Sequence, residues 1–304
     1  MSVAVSSGNF AKALWPGINQ WWGEAYAEHP VQYTDLFDTF TSRKHREEDM
    51  GVSGFGLAQM KGEGSPIAYD TMRQGYRSDY RHVEYALGFI VTRTMVEDDL
   101  YDVVAQKQAR ALAMSMRQTK EVIGANVYNR AFDTSYTGGD GVSLLNTAHP
   151  NVAGGTWSNR PAVDADLSET ALEQAAIDIM QWENDRGLKI AVKPQKLIVP
   201  PALYFQANRI MKSDGRVGTA NNDLNAIAAT GQFPGGIVVN HYLTDSAAWF
   251  IRTDVSDGMK YFERRADEFG MDNDFDTENA KYKATMRFSF GWTDPRGLYG
   301  SPGS

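Results

Sequence analysis

The sequence contains no cysteine in 304 residues. That excludes disulfides, thiolate metal ligands, cysteine nucleophiles and thiol redox switches together. It agrees with assembly in a reducing compartment. No apolar run approaches the roughly 18 residues that a membrane-spanning helix needs. The start, MSVAVSSGNF, lacks the basic segment and long apolar core of a secretory signal, so export by that route is not expected. Net positive charge is missing too: 30 basic against 38 acidic residues leave a formal charge of −8. A strongly basic nucleic-acid binder is thereby excluded, although a local basic patch is not.

Catalytic signatures are equally sparse. There is no HExxH, no GxSxG and no Walker lysine. His29, His45, His82, His149 and His241 are scattered without ligand-like spacing. His149, between Ala148 and Pro150 in a turn-rich tract, reads as a local hydrogen-bonding residue. Asp272, Asp274 and Asp276 imitate the first ligands of a calcium loop. Thr277 stands where that loop needs Gly, and Lys283 where it needs Glu, so the match fails. No catalytic, cofactor or metal residue is singled out.

What is present is an ordinary folded composition, 42% hydrophobic and 22% charged, in a chain long enough for one large domain or two modest ones. No repeat or linker divides it. Leu14, Ile18, Trp22 and Ala25 share one helical face, with Pro16 suited to the first turn. This helix, rich in tryptophan at 15, 21 and 22, is either a core helix or one that docks on a neighbouring subunit. The charge run SRKHREED at 42–49 reads as a solvated face. The glycine-rich stretch 51–66 fails the phosphate-loop patterns and reads as a bending strand. Strand-prone residues at 67–92 suggest a two-stranded ribbon across 54–92, which is marginal in water unless it lies on something.

A long helix is predicted over 94–134, opened by a capping box at Thr94 and Glu97. Its apolar stripes include Ala111, Met114 and Val122, and Gly124 is a candidate kink. Asp166 and Glu169 suggest the next helix start, Leu172, Ala176, Ile179 and Met180 its buried face, and Gly187 its end. Strands at 190–192 and 197–199, then a helix from Pro201 carrying Leu203, Ala207, Ile210 and Met211, make a compact α/β unit. Strands return near the end. In the best of them, 281–292, Tyr282, Ala284, Met286, Phe288, Phe290 and Trp292 alternate with polar residues.

The strings SLLNTAHPN (143–151), KPQKLIVPPALYFQANRIMKS (193–213), AAWFIRTD (247–254) and RFSFGWTDPRGLYGSPG (287–303) stand in this order along with the ribbon and long helix. In that order the chain resembles the major capsid (head) proteins of tailed bacteriophages, with the Hong-Kong-97-type fold, and most closely head subunits of the Mu-like type. The resemblance covers about residues 50–303.

It implies an α+β subunit: an N-terminal arm at 1–50, an extended E-loop at 51–92, a peripheral domain with a spine helix at 93–167, an axial domain at 168–265 with its tip near 215–236, and peripheral return strands at 266–304. It also implies no enzymatic activity and no cofactor. The expected partners are further copies of the chain in hexamers and pentamers, a separate scaffolding protein, a portal and a decoration protein. Packaged double-stranded DNA would be enclosed without sequence-specific binding, and a net acidic shell would leave it mobile. Assembly is expected in the host cytoplasm and residence in the virion, with no membrane association. Tyr69, Tyr76, Tyr80, Lys61, Trp21 and Trp22 are the inter-subunit contact candidates. Lys61 lies where some relatives crosslink to a neighbour's Asn, but no motif identifies a partner and that chemistry is not carried over. A nanocompartment shell on the same fold and, from another class, a cytosolic hydrolase using a carboxylate pair are the alternatives.

Overall fold

The computed structural model describes residues 7–97, 101–215, 224–274 and 279–304; the side chains of 7–16, 96, 97, 101–103 and 273 are outside the description. Two four-stranded sheets organise it. In the first, Asp38–Thr41, Met259–Asn273, Ala280–Trp292 and Val83–Val91 lie side by side, the first pair parallel and the others antiparallel. In the second the order is Leu298–Ser301, Trp249–Thr253, Pro194–Val199 and Ile237–Val239, with only the last pair parallel.

The strand Ala280–Trp292 behaves as its alternation predicts. Tyr282, Ala284, Met286 and Phe288 are buried, and Phe290 and Trp292 pack against the same core. They meet the spine helix, Tyr101–Asn129, whose buried face is Ala105, Ala109, Leu112, Ala113, Met116 and Tyr128. The expected stripe is therefore misplaced: Ala111, Met114 and Val122 are exposed. Ala105, Ala109 and Ala113 alternate with Leu112, Met116 and Tyr128 on that face, so small and large side chains interlock with the aromatic sheet. Gly124 serves a close approach and is no kink: a Cβ there would sit 3.2 Å from the Phe290 ring. The helix ends at Asn129, short of the predicted 134, and is preceded by a short helix, Arg93–Glu97. The side chain of Glu97, the second half of the predicted capping box, is outside the described residues.

The N-terminal helix begins at Ser7, well before Pro16, and ends at Glu28. Its Ile18, Trp22 and Ala25 join the main core, so the core-helix alternative holds for this segment. Trp22 stacks on Tyr26 and Phe269, with ring centroids at 5.1 and 5.3 Å. Beneath it lies a buried polar junction. Lys120, 2% exposed, reaches Asp267 at 2.8 Å, and the Tyr26 hydroxyl donates to the same carboxylate. Burial, then Asp267, push the Tyr26 phenol far above its usual range. Neighbouring Glu121 accepts the backbone N–H groups of Gln32 and Tyr33, each at 2.9 Å.

The second sheet is covered on both faces. Ile198, Phe250 and Leu298 point to the main core, while Leu197, Val199, Trp249, Ile251 and Tyr299 point to a second core. That second core is closed by helices Glu169–Gln181 and Tyr204–Lys212. Ser168, rather than Asp166, caps the first, accepting from Ala171 N at 3.2 Å. Asp166 accepts instead from Ser304 N. The helix ends at Gln181, capped by Trp182, before the predicted Gly187, which forms a later turn.

His149 is fully buried. Its Nδ1 lies 2.6 Å from Asp140 and its Nε2 3.0 Å from Asn159 Oδ1. Asn159 Nδ2 donates to the carbonyls of Leu144, Pro295 and Leu298. This is the local hydrogen-bonding role expected of His149, and it stitches the turn-rich tract to the C-terminal segment. The boundary expected at 265/266 falls inside a strand. That strand is Met259–Asn273, and Leu298–Ser301, from the expected return segment 266–304, joins the second sheet. Part of the expected tip at 215–236 lies outside the described residues.

Candidate assembly surface

The ribbon is built from strands other than those expected. Arg46–Ser53 pairs antiparallel with Arg73–Arg81, and Val83–Val91 belongs to the first sheet. The second half of the charge run at 42–49 is thus strand, its polar side chains suiting a ribbon without a buried face. Between Met50 and Val52 the register shifts in a bulge. At that point Gly51 and Gly75 face each other so closely that a Cβ on Gly75 would lie 2.7 Å from Gly51 O.

Below the bulge the ribbon is joined to the body. Tyr80 is 3% exposed, its ring 4.8 Å from Phe262 and its hydroxyl 2.7 Å from Thr293 Oγ1. Gly291 makes room: a Cβ there would be 2.8 Å from the Tyr80 ring. The Lys260 ammonium, almost buried, contacts Asp49 of the ribbon and, at 2.8 Å, Asp257, while Thr293 donates to Asp49 at 2.8 Å. Burial pushes Asp49 up, but the hydrogen bonds from Lys260 and Thr293 and the Lys260 charge outweigh it and hold the carboxyl below its usual range. His82 bridges Ser289 and Ser42 at 3.0 and 3.1 Å, and burial followed by the Arg287 charge lowers its pKa.

A cleft of about 350 Å³ lies between the ribbon, the 138–140 turn and the segment 292–296. Its acids are already engaged: Asp140 with His149, Asp257 with Lys260, Asp294 with Arg296. Burial raises the Asp294 carboxyl in spite of Arg296. Among the described residues no group of three or more His, Asp or Glu is placed to hold a metal, and no helix is long and apolar enough to cross a membrane. Asp274 pairs with Lys281; Asp276 lies outside the described residues.

Above the bulge, residues 54–72 form neither helix nor strand. Phe55, Leu57, Met60, Ile67, Tyr69 and Met72 are all more than half exposed, Met60 completely. Apolar residues clustered on one exposed segment mark an interaction surface.

The six sequence candidates therefore separate. Lys61 and Tyr69 sit on this open segment, and Tyr76 is exposed at the cleft. Tyr80 and Trp22 are buried in the subunit's own core, and Trp21 packs half-buried against it. Sequence reasoning passed over Phe55, Leu57, Met60, Ile67 and Met72. Their signal was weak: apolar side chains in a glycine-rich stretch that lacks period 2 or 3.6.

Comparison with known proteins adds two findings. A family described as phage capsid protein matches residues 75–301. Among solved structures, the chain is similar to a virus-like particle from Pyrococcus furiosus (TM-score 0.54, 10% identity, covering 93% of this chain and 97% of that one). It is similar to Mycobacterium phage Che8 (0.53, 14% identity, 90% and 93%). It is also similar to the procapsid of bacteriophage JBD30 (0.52, 15% identity, 96% and 75%). No curated protein matches by sequence. At these identities the structures share the fold, the Hong-Kong-97-type capsid fold.

Proposed function

The chain belongs to the phage capsid protein family, and from that premise we propose that it is the major shell subunit of a tailed-phage head, closing into hexamers and pentamers around double-stranded DNA. It is a structural protein of virus particles and not an enzyme. In this reading 54–72 is the tip of the E-loop. The first sheet with the spine helix forms the peripheral domain, and the second sheet with its two helices the axial domain. The Mu-like type rests on the quoted strings. A scaffold, a portal and a decoration protein would act on the shell during assembly in the host cytoplasm, and packaged DNA would meet it without sequence readout.

The single observation that carries this reading is the uncovered apolar tip on a two-stranded ribbon. Such a ribbon is marginal in water, and each large apolar side chain it buries on a neighbour contributes roughly 1.5–3 kcal/mol. A second copy of the chain supplies that neighbour in a closed shell.

Sedimentation velocity and negative-stain microscopy of the purified protein at rising concentration test it. Capsomers or closed shells are expected. A monomer at every concentration, with 54–72 protected from protease, would overturn it. The runner-up, a nanocompartment shell on the same fold, predicts protein cargo instead of nucleic acid in particles isolated from cells.

A further inference from the structure

The ribbon has little pairing of its own near its tip. Its base is joined to the body through Tyr80 and Asp49, but above the Gly51–Gly75 bulge only Val52 with Gln74 and Ser53 with Arg73 still pair. Glycines meeting at a bulge leave that point free to bend.

Arg186 restrains what lies beyond. Arg186 sits in the turn after helix Glu169–Gln181. Its Nη1 reaches both oxygens of Asp70, at 3.0 and 2.8 Å, and its Nη2 donates to Thr71 O at 2.5 Å. Asp70 in turn accepts Gly56 N–H at 2.8 Å. Both ends of the loop are thereby gathered at one guanidinium, whose two terminal nitrogens divide between the Asp70 carboxylate and the Thr71 carbonyl. The turn carrying Arg186 is itself stiff. Asn184 Oδ1 accepts from Arg186 N and Leu188 N at 2.9 and 3.0 Å, and Gly187 takes φ +74°.

The clamp takes hold at 56, 70 and 71 and leaves the apolar tip open. Leu57, Met60, Ile67 and Tyr69 are 63–100% exposed with the clamp made. An autoinhibitory strap would cover these side chains; this one presents them. Building on the shell reading above, we propose that Arg186 is a positioning residue for assembly. Through Asp70 it aims loop 57–69 so that a second copy of the chain meets the apolar tip in one direction. A loop ordered before the encounter loses less conformational freedom on contact.

The absence of cysteine makes the test clean. Spin labels on Leu57→Cys and Gln181→Cys, read by pulsed electron resonance in the unassembled subunit, should give one narrow distance band. Arg186→Gln should broaden it while leaving far-ultraviolet circular dichroism unchanged. In unlabelled protein, Arg186→Gln and Asp70→Asn should each raise the concentration needed for half-maximal shell formation about two- to fivefold, the range of an exposed ion pair. The exchanged pair, Asp70→Arg with Arg186→Asp, should recover part of the loss, because the ion pair returns while the Gly56 N–H and Thr71 O contacts do not. An unchanged band or an unchanged threshold overturns the proposal. So does recovery on mixing the two single charge-reversal variants, because that outcome requires a clamp made between copies. A parent chain that never assembles sinks the shell reading itself, a result distinct from a clamp that is present without effect.

Discussion

The base and the tip of the ribbon belong to one excursion of chain and have opposite surroundings. Tyr80, at the base, is 3% exposed; Tyr69, at the tip, is 94% exposed. Both are strand-prone aromatics with a polar end. What separates them is what lies beneath. Tyr80 has Phe262, Thr293 and the bare backbone of Gly291. Tyr69 is 94% exposed on the open loop, where its neighbours Asp70 and Thr71, and not its own ring, meet the body through Arg186. The same side chain stabilises the subunit in one place and is available to a neighbour in the other. Chemistry does not make that choice; the presence of a second surface does.

The largest expected effect comes from removing the tip alone. Replacing 54–72 by a short Gly-Ser linker should leave circular dichroism and the melting curve close to the parent and abolish shells in sedimentation velocity. A replacement that extends to 82 should behave differently. It deletes Tyr80 and its strand, opens the main body, and should yield insoluble or unfolded protein. If both behave alike, base and tip are not distinct units.

Single residues sharpen the comparison. Tyr80→Ala should lower stability by about 3–5 kcal/mol, the cost of a buried aromatic truncated in place. Tyr69→Ala should change it by no more than about 0.5 kcal/mol. Urea unfolding of the two variants reads the difference directly; equal midpoints would contradict the burial argument.

Acid should loosen the base before the core. The Asp49 carboxyl is held below its usual range in the folded state, so its contribution is present above about pH 4 and is lost as pH falls through the folded value. The amount is about 1 kcal/mol, because Asp49 is partly open to water. Hydrogen-exchange protection at residues 46–50 and 76–81, corrected for the intrinsic rate at each pH, should fall below about pH 4 ahead of the spine helix. Asp49→Asn should remove that pH dependence.

The smallest effect on stability belongs to the tip. Met60→Ser should shift the unfolding midpoint by less than about 0.5 kcal/mol, since Met60 is fully exposed, and still weaken assembly. A stability loss as large as that of Tyr80→Ala would place Met60 in the subunit's own core.

Some of this was legible in advance. The strand Ala280–Trp292 showed its buried face through alternation, and Pro201 marked the start of the turn and helix that carry Ala207 and Ile210. Pairing was not legible. Period 2 tells which face of a strand is buried and not which strand lies beside it, so Val83–Val91 was assigned to the ribbon although it pairs with Ala280–Trp292. The spine helix misled for a related reason. Helical spacing admits neighbouring stripes of similar hydrophobicity, and the sheet face with Tyr282, Phe288 and Phe290 covers the one through Ala105, Ala109, Leu112 and Met116 instead. The helix cap moved from Asp166 to Ser168 because both side chains are good acceptors and local spacing does not rank them.

The sequence by itself determined the classes of chemistry that are excluded, the mixed α and β character, and the presence of an extended excursion within 54–92. Only the tertiary structure decided where that excursion stops being core and becomes surface, and which cation restrains it. Arg186 and Asp70 are far apart along the chain and carry no motif. Burial and ion pairing depend on distance in space, which is set by how sheets and helices pack and is not encoded in any local pattern.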